Sequence, residues 1–156
     1  MQNDNALLLD NQLCFRLYAA TRAVTQAYQP LLAPLGLTYP QYLVMLVLWE
    51  KDGLSVKEIG DRLLLDSGTL TPLLKRMEGM GLVCRTRSKR DERMITIDLT
   101  EKGKAMKADA AEIPLKLFCG TDLSLDQLAS LAAGLDQLLD AQRGRGQATQ
   151  NDPPTP

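Results

Sequence analysis

Ser55-Val56-Lys57-Glu58-Ile59-Gly60-Asp61-Arg62-Leu63-Leu64-Leu65-Asp66-Ser67-Gly68-Thr69-Leu70-Thr71-Pro72-Leu73-Leu74-Lys75-Arg76-Met77 reads as two short helices with a brief break between them. Ser55 and Glu58 make a capping box, each side chain satisfying a backbone N–H that the first helical turn leaves free. This box opens a helix to about Leu64. Leu65-Asp66 breaks it, and a longer, more basic helix runs from about Ser67 to Met80, ended by Gly81. Two helices joined in this way form a helix-turn-helix.

Downstream, Leu82–Arg87 and Met94–Leu99 flank the polar segment Ser88-Lys89-Arg90-Asp91-Glu92-Arg93. Ile95, Ile97 and Leu99 alternate with Thr96 and Asp98, the period of a half-buried strand, so a β-hairpin with a charged tip is expected. A helix-turn-helix followed by a basic hairpin is the element order of a winged helix.

Helices flank this unit. Upstream, residues 1–9 form a loose arm, and Asp10 caps a helix to about Gln29, where Pro30 interrupts it. Cys14, Leu17, Thr21, Thr25 and Tyr28 share one of its faces. Pro34 and Gly36 break the chain. Thr38-Tyr39-Pro40-Gln41 is a second capping box, with proline in the first turn of an apolar helix that stops near Asp52-Gly53. Downstream, Thr100 caps a helix that ends or bends near Pro114. Ser124-Leu125-Asp126-Gln127 is a third capping box, opening an amphipathic helix with Leu125, Leu128, Leu131, Leu135 and Leu138 on one side. From Arg143 onward Gly, Gln and Pro dominate, and a disordered tail is expected over 143–156. The fold class is therefore mainly α with a small β-hairpin wing. A single domain is expected over 10–142, its winged-helix part at about 54–100 and its outer helices at 10–50 and 101–142.

Composition narrows the function. The chain has 156 residues and no histidine, which removes His-type metal sites and both Ser-His and Cys-His catalytic pairs. Cys14, Cys84 and Cys119 form neither a disulfide framework nor a C-x-x-C pattern. Neither a metal nor any other cofactor is implied. No run of about 18 apolar residues exists, and the N-terminus has no basic-then-apolar secretory pattern, so a cytoplasmic protein without a membrane partner is expected. Net charge is −1 overall, yet Arg62–Lys107 carries eleven Lys/Arg against six Asp/Glu. That excess of five puts an anion-seeking lobe on an acidic body.

The lobe suits double-stranded DNA. A helix about 10–12 Å across fits the major groove. Ser67, Thr69 and Thr71 lie in the first turns of the second helix, where small hydroxyls and free N–H groups meet phosphates and base edges. Lys75 and Arg76 follow two turns on, and Arg87, Lys89, Arg90 and Arg93 offer cations from the hairpin to a neighbouring backbone or minor groove.

Asp91-Glu92-Arg93, with the strand and Leu99-Thr100-Glu101-Lys102-Gly103 after it, resembles the wing signature of the MarR family. The likeness spans roughly residues 10 to 140. It implies a homodimer whose outer helices form the dimerisation body, with Asp91 bracing Arg93 as that arginine enters the minor groove. Asn11-Gln12-Leu13-Cys14-Phe15, Thr38-Tyr39-Pro40-Gln41-Tyr42 and Leu65 to Met77 are similar to a narrower group, the organic hydroperoxide resistance regulators. The resemblance implies that Cys14 is the peroxide sensor, that Tyr28 and Tyr39 hydrogen-bond it, and that Cys119 is the resolving cysteine. It also implies a disulfide between subunits. Cys84 is read as structural, and Phe15 and Tyr42 as pocket lining.

The residues themselves add a constraint. Tyr28 lies fourteen positions after Cys14, roughly 21 Å along an unbroken helix. If the two meet, Tyr28 belongs to a second copy of the chain. Cys14 sits near the start of its helix, where free N–H dipoles favour an anionic sulfur and Asp10 opposes it, which leaves the balance open.

The expected function is thus a non-enzymatic repressor of a pseudo-palindromic operator, released when an organic hydroperoxide oxidises Cys14 and a disulfide to Cys119 follows. Two rivals stand: a MarR-type regulator of a small phenolic ligand with Cys14 incidental, and a thiol peroxidase, which also needs a reactive and a resolving cysteine.

Overall fold

The computed structural model describes residues 5–87 and 94–148, with side chains through 143. It contains α1 (Leu13–Leu32), α2 (Tyr39–Glu50), β1 (Leu54–Ser55), α3 (Val56–Leu63), α4 (Ser67–Gly79), β2 (Val83–Arg87), β3 (Ile95–Leu99), α5 (Glu101–Ala110), α6 (Ile113–Phe118) and α7 (Leu125–Ala148). The chain divides into two compact units, Met1–Cys119 and Gly120–Pro156.

The capping boxes form where the sequence places them. Glu58 accepts from the Ser55 N–H at 2.8 Å while the Ser55 hydroxyl accepts from the Glu58 N–H at 3.2 Å, starting α3. Gln41 accepts from the Thr38 N–H at 2.9 Å and starts α2. Ser124 and Gln127 reciprocate at the head of α7. Thr100 caps α5 through the Gly103 N–H at 3.1 Å. Each device satisfies backbone donors that helix geometry leaves unpaired.

In the first unit α2 is the central strut, burying Tyr42, Val44, Met45, Val47 and Leu48. Ile59 of α3, Leu70, Leu74 and Met77 of α4, and Ile97 and Leu99 of β3 close the core around it. Leu70, Leu74 and Met77 fall on one face of α4 at helical spacing, which turns its other face outward. The turn between α3 and α4 is made by Leu64 in the left-handed region, φ +57°, an uncommon conformation for a non-glycine residue.

Several expectations need correction. Asp10 does not cap the first helix. Residues 5–11 are not a loose arm but two 3-10 turns, tied by Asn11 Nδ2 donating to the Asn5 carbonyl at 2.7 Å, and Gln12 takes the N-cap position of α1. Pro30 does not end α1, which continues to Leu32. Pro30 gives up the bond to the Gln26 carbonyl and crowds it, but only two residues of α1 follow, so the disturbance stays at the helix end. The wing is not a hairpin alone: β1 adds a third antiparallel strand in the order β1-β3-β2, pairing Leu54 with Ile97. Along β3 the expected alternation holds at Ile97 and Leu99, which are buried, while Ile95 at the start of the strand is exposed. The helix expected to stop before residue 143 continues as α7 to Ala148.

No single described helix is long and apolar enough to cross a membrane; Leu13–Leu35 and Tyr39–Glu50 pass together but are bent by 69°, and α2 spends its apolar side chains on the core.

Candidate functional site

The expected reading face lies on α4. Asp66 caps it, accepting from the Thr69 N–H at 2.9 Å and the Thr69 hydroxyl at 3.0 Å. Ser67, Thr69, Thr71, Lys75 and Arg76 are all exposed on this helix, as a groove-entering face requires. Thr69 donates its hydroxyl to the cap, which leaves its lone pairs rather than its proton outward. Arg87 ends β2 in an exposed position. Lys89, Arg90, Asp91 and Arg93 lie outside the described residues.

The cap has a pH signature. The Thr69 amide, then the Thr69 hydroxyl, hold the Asp66 carboxyl below the ordinary carboxylate range. The unfolded chain therefore binds that proton more readily, and the contribution to stability is present above about pH 4 and fades as pH falls further. The protection factor of the Thr69 amide, its exchange rate referred to the intrinsic rate at the same pH, should fall below that pH. Asp66→Asn, which keeps an acceptor, should make that protection independent of pH, whereas Asp66→Ala should leave it low throughout. A protection factor at Thr69 that ignores both pH and substitution would show the cap to be idle.

A second cluster lies at the junction of α1 and α2. Tyr28 and Tyr39 face each other with ring centroids 4.6 Å apart, and Tyr42 stands 5.7 Å from Tyr28. Burial, then the neighbouring Tyr39 and Tyr42 phenols, push Tyr28 up to about 12, and burial followed by Tyr39 raises Tyr42 too. Both phenols stay protonated at neutral pH and can donate a hydrogen bond. The Tyr42 hydroxyl is buried without a hydrogen-bond partner among the described residues, a state that is rare in native proteins.

The structure brings Tyr28 and Tyr39 together and leaves Cys14 elsewhere. α1 is unbroken from Leu13 to Leu32, so Cys14 in its first turn stands roughly 20 Å along the axis from Tyr28 of the same chain. Cys14 and Cys119 are both free and exposed, the latter directly after α6. Cys84 is partly buried in β2, its thiol 3.7 Å from the Asp98 carbonyl across the sheet. Phe15 is 41% exposed on α1, while Tyr42 lines a groove of about 650 Å³ with Leu46, Trp49, Leu63, Lys107 and Pro114.

Sequence reasoning overlooked Trp49. It follows Tyr42 by two helical turns, its ring edge-on to that tyrosine at 6.3 Å, and its indole N–H donates to the Gly103 carbonyl at 2.9 Å. The signal available was slight: the chain's single tryptophan, seven positions after a tyrosine on an apolar helix.

Exposed large apolar side chains of the first unit include Leu13, Phe15, Tyr18 and Val24 of α1 and Leu115 and Phe118 of α6, besides Leu7, Leu8, Leu9, Leu46, Leu64, Met94 and Ile95 elsewhere. In the second, α7 exposes Leu125, Leu131 and Leu139.

Comparison with known proteins agrees with this geometry. Residues 26–110 match the family described as transcriptional regulator SarA/Rot. The chain is 51% identical over 132 residues to the organic hydroperoxide resistance transcriptional regulator of Bacillus subtilis, covering 85% of this chain and 90% of that protein. It is 50% identical over 147 residues to the HTH-type transcriptional regulator TtmR of Methylorubrum extorquens, covering 94% and 75%. Among solved structures, AbfR of Staphylococcus epidermidis is similar in two states. Its reduced, DNA-bound form aligns with a TM-score of 0.76 at 33% identity, covering 90% of this chain and 96% of that one. Its disulfide form aligns at 0.64 and 37%, covering 87% and 92%.

Proposed function

Because the chain belongs to the SarA/Rot family of MarR-like winged-helix transcriptional regulators, we propose that it is a homodimeric repressor that leaves its operator when an organic hydroperoxide oxidises Cys14. The observation that carries this reading is the Tyr28–Tyr39 pair, packed at the far end of an α1 that does not break. A sulfur held by those hydroxyls has to come from a second copy, with the two first helices antiparallel. The exposed apolar side chains of α1 and α6, and separately those of α7, are the surface such a copy would cover.

The chemistry follows. The Cys14 thiolate attacks the terminal oxygen of the hydroperoxide, the O–O bond breaks, the alcohol departs and a sulfenic acid remains. The thiol of Cys119 from the other copy displaces water from that sulfenic acid and forms a disulfide. A dimer reading successive major grooves holds its two recognition helices about 34–36 Å apart or a multiple of that. A covalent bridge that favours another spacing weakens binding by the difference in affinity between the two states.

On DNA, α4 enters the major groove with Ser67, Thr69, Thr71, Lys75 and Arg76, while Arg87 and the hairpin cations reach the flanking backbone. A repressor of an operator acts in the cytoplasm. Lys75→Gln should weaken operator and non-operator DNA alike and reduce the slope of log affinity against log salt by about 1. An unchanged slope would remove Lys75 from the phosphate contacts.

The reading is tested on one sample of the full chain before and after cumene hydroperoxide. Non-reducing electrophoresis should show a covalent dimer as DNA retardation disappears, and thiol reductant should restore both. A monomer that binds DNA equally in either state overturns it. A second reading, control by a small apolar ligand with Cys14 incidental, is favoured by the groove beside Tyr42 and Trp49.

A further inference from the structure

Resting on that reading, we propose that Trp49 is the positioning residue that carries a change at the Tyr28–Tyr39 pair to the DNA-reading lobe. Four rings form a continuous column: Tyr39 on Tyr28, Tyr28 on Tyr42, and Tyr42 on Trp49, with centroids 4.6, 5.7 and 6.3 Å apart. One end of the column is the tyrosine pair. The other end is the last turn of α2, where it is strapped to α5 by two bonds of opposite direction. The Trp49 indole N–H donates to the Gly103 carbonyl at 2.9 Å, and the Trp49 carbonyl accepts from Lys107 Nζ at 3.0 Å.

The start of α5 is in turn fixed to the lobe. The Thr100 N–H donates to the Leu82 carbonyl at 3.1 Å, and its hydroxyl donates to the Gly81 carbonyl at 2.6 Å. Gly103 lies so close to β2 that a Cβ there would stand 2.2 Å from the Leu82 oxygen. Gly81 and Leu82 directly join the C-terminal end of α4 to the root of β2. Among the described residues the path from the indole to that joint runs through the first turn of α5 and Thr100, each step a hydrogen bond or a backbone contact. Close-packed interiors switch between discrete arrangements rather than deform smoothly.

Contiguity alone does not demonstrate coupling, so the test measures the coupling itself. Trp49→Phe in the full chain keeps a ring against Tyr42 and removes the donor to Gly103. Reduced, the variant should bind operator within about threefold of wild type, and its cysteines should cross-link at the wild-type rate. Oxidation should cost wild type about tenfold or more in operator affinity and the variant less than about threefold. Lys107→Met cuts the other strap, leaves the indole in place and should reduce the response in the same direction. It also decides the matter should Trp49→Phe not fold. Because the chain has one tryptophan, its emission reports on the column without DNA. Oxidation should shift that emission in wild type and leave it unmoved in Cys14→Ser.

Full release by both variants after oxidation, or wild-type emission indifferent to complete cross-linking, overturns the role of Trp49 while the hydroperoxide reading stands. A wild-type protein that cross-links and yet keeps its operator removes that reading, and the role of Trp49 with it.

Discussion

Cys14→Ser should bind the operator as wild type does and keep it after cumene hydroperoxide, erasing a response expected to be tenfold or larger. The serine hydroxyl is nearly isosteric, and Cys14 is exposed in the first turn of α1, so folding should be untouched. What disappears is the only step the mechanism begins with, attack by sulfur on the O–O bond. DNA retardation before and after oxidant is the measurement, with Cys119→Ser beside it. That second variant should still oxidise at Cys14 but yield no covalent dimer, and its sulfenic acid should drift to the irreversible sulfinic state. If Cys14→Ser releases DNA as readily as wild type, the cysteine is incidental and a ligand in the groove beside Tyr42 becomes the better account.

Gly103→Ala should destabilise the protein by about 2 kcal/mol, although alanine is the better helix former. In an open helix interior the exchange favours alanine by about 1 kcal/mol. Here the added methyl would stand 2.2 Å from the Leu82 carbonyl oxygen and 3.1 Å from Leu99 Cδ2. The first of these is backbone, directly before β2 and held by the Thr100 N–H at 3.1 Å, so it cannot swing aside as a side chain could. Overpacking of this kind costs about 1–3 kcal/mol and occasionally more, outweighing the propensity gain and removing a large part of a marginal total. Gly79→Ala supplies the control. It lies in α4 with nothing within 4 Å of the new carbon, and should be neutral or stabilising by about half a kcal/mol. Urea midpoints at matched protein concentration decide it, since a dimer's stability depends on concentration. Equal midpoints for wild type and Gly103→Ala would mean that α5 is not seated on β2 as described.

The two positions differ in how far they could be read from residues. Cys14 is marked by its neighbours in sequence. Gly103 looks like any glycine near a helix start, and only the approach of the Leu82 backbone, some twenty positions earlier, explains it. The same contrast runs through the fold. Capping boxes at Thr38, Ser55 and Ser124 close within four residues, so their chemistry is complete in the local string. Asp10 had the right side chain for a cap and failed because Asn11 and Gln12 turned back onto Asn5 and Ala6, placing the helix start at Leu13. β1 is two residues long and shows no alternation; it is a strand only because Ile97 and Thr96 lie beside it.

For the site, α4 and its outward Ser67, Thr71, Lys75 and Arg76 could be read in advance, because the spacing of Leu70, Leu74 and Met77 dictates which face is left for solvent. The separation of Cys14 from Tyr28 was also fixed in advance by helix rise. The aromatic column was not, since it joins α1 to α2 and then α2 to α5 through a bond spanning 54 positions.

Short-range chemistry in the chain therefore decided most of the helices, the three capping boxes, the polar face of α4 and the distance along α1 that separates Cys14 from Tyr28. Tertiary packing alone decided that Tyr28, Tyr39, Tyr42 and Trp49 stack, that the buried Tyr42 hydroxyl has no partner among the described residues, and that Gly103 admits no side chain. The reason is physical: a cap or a helical face is set by atoms a turn or two away, whereas a stack of rings depends on where whole helices come to rest.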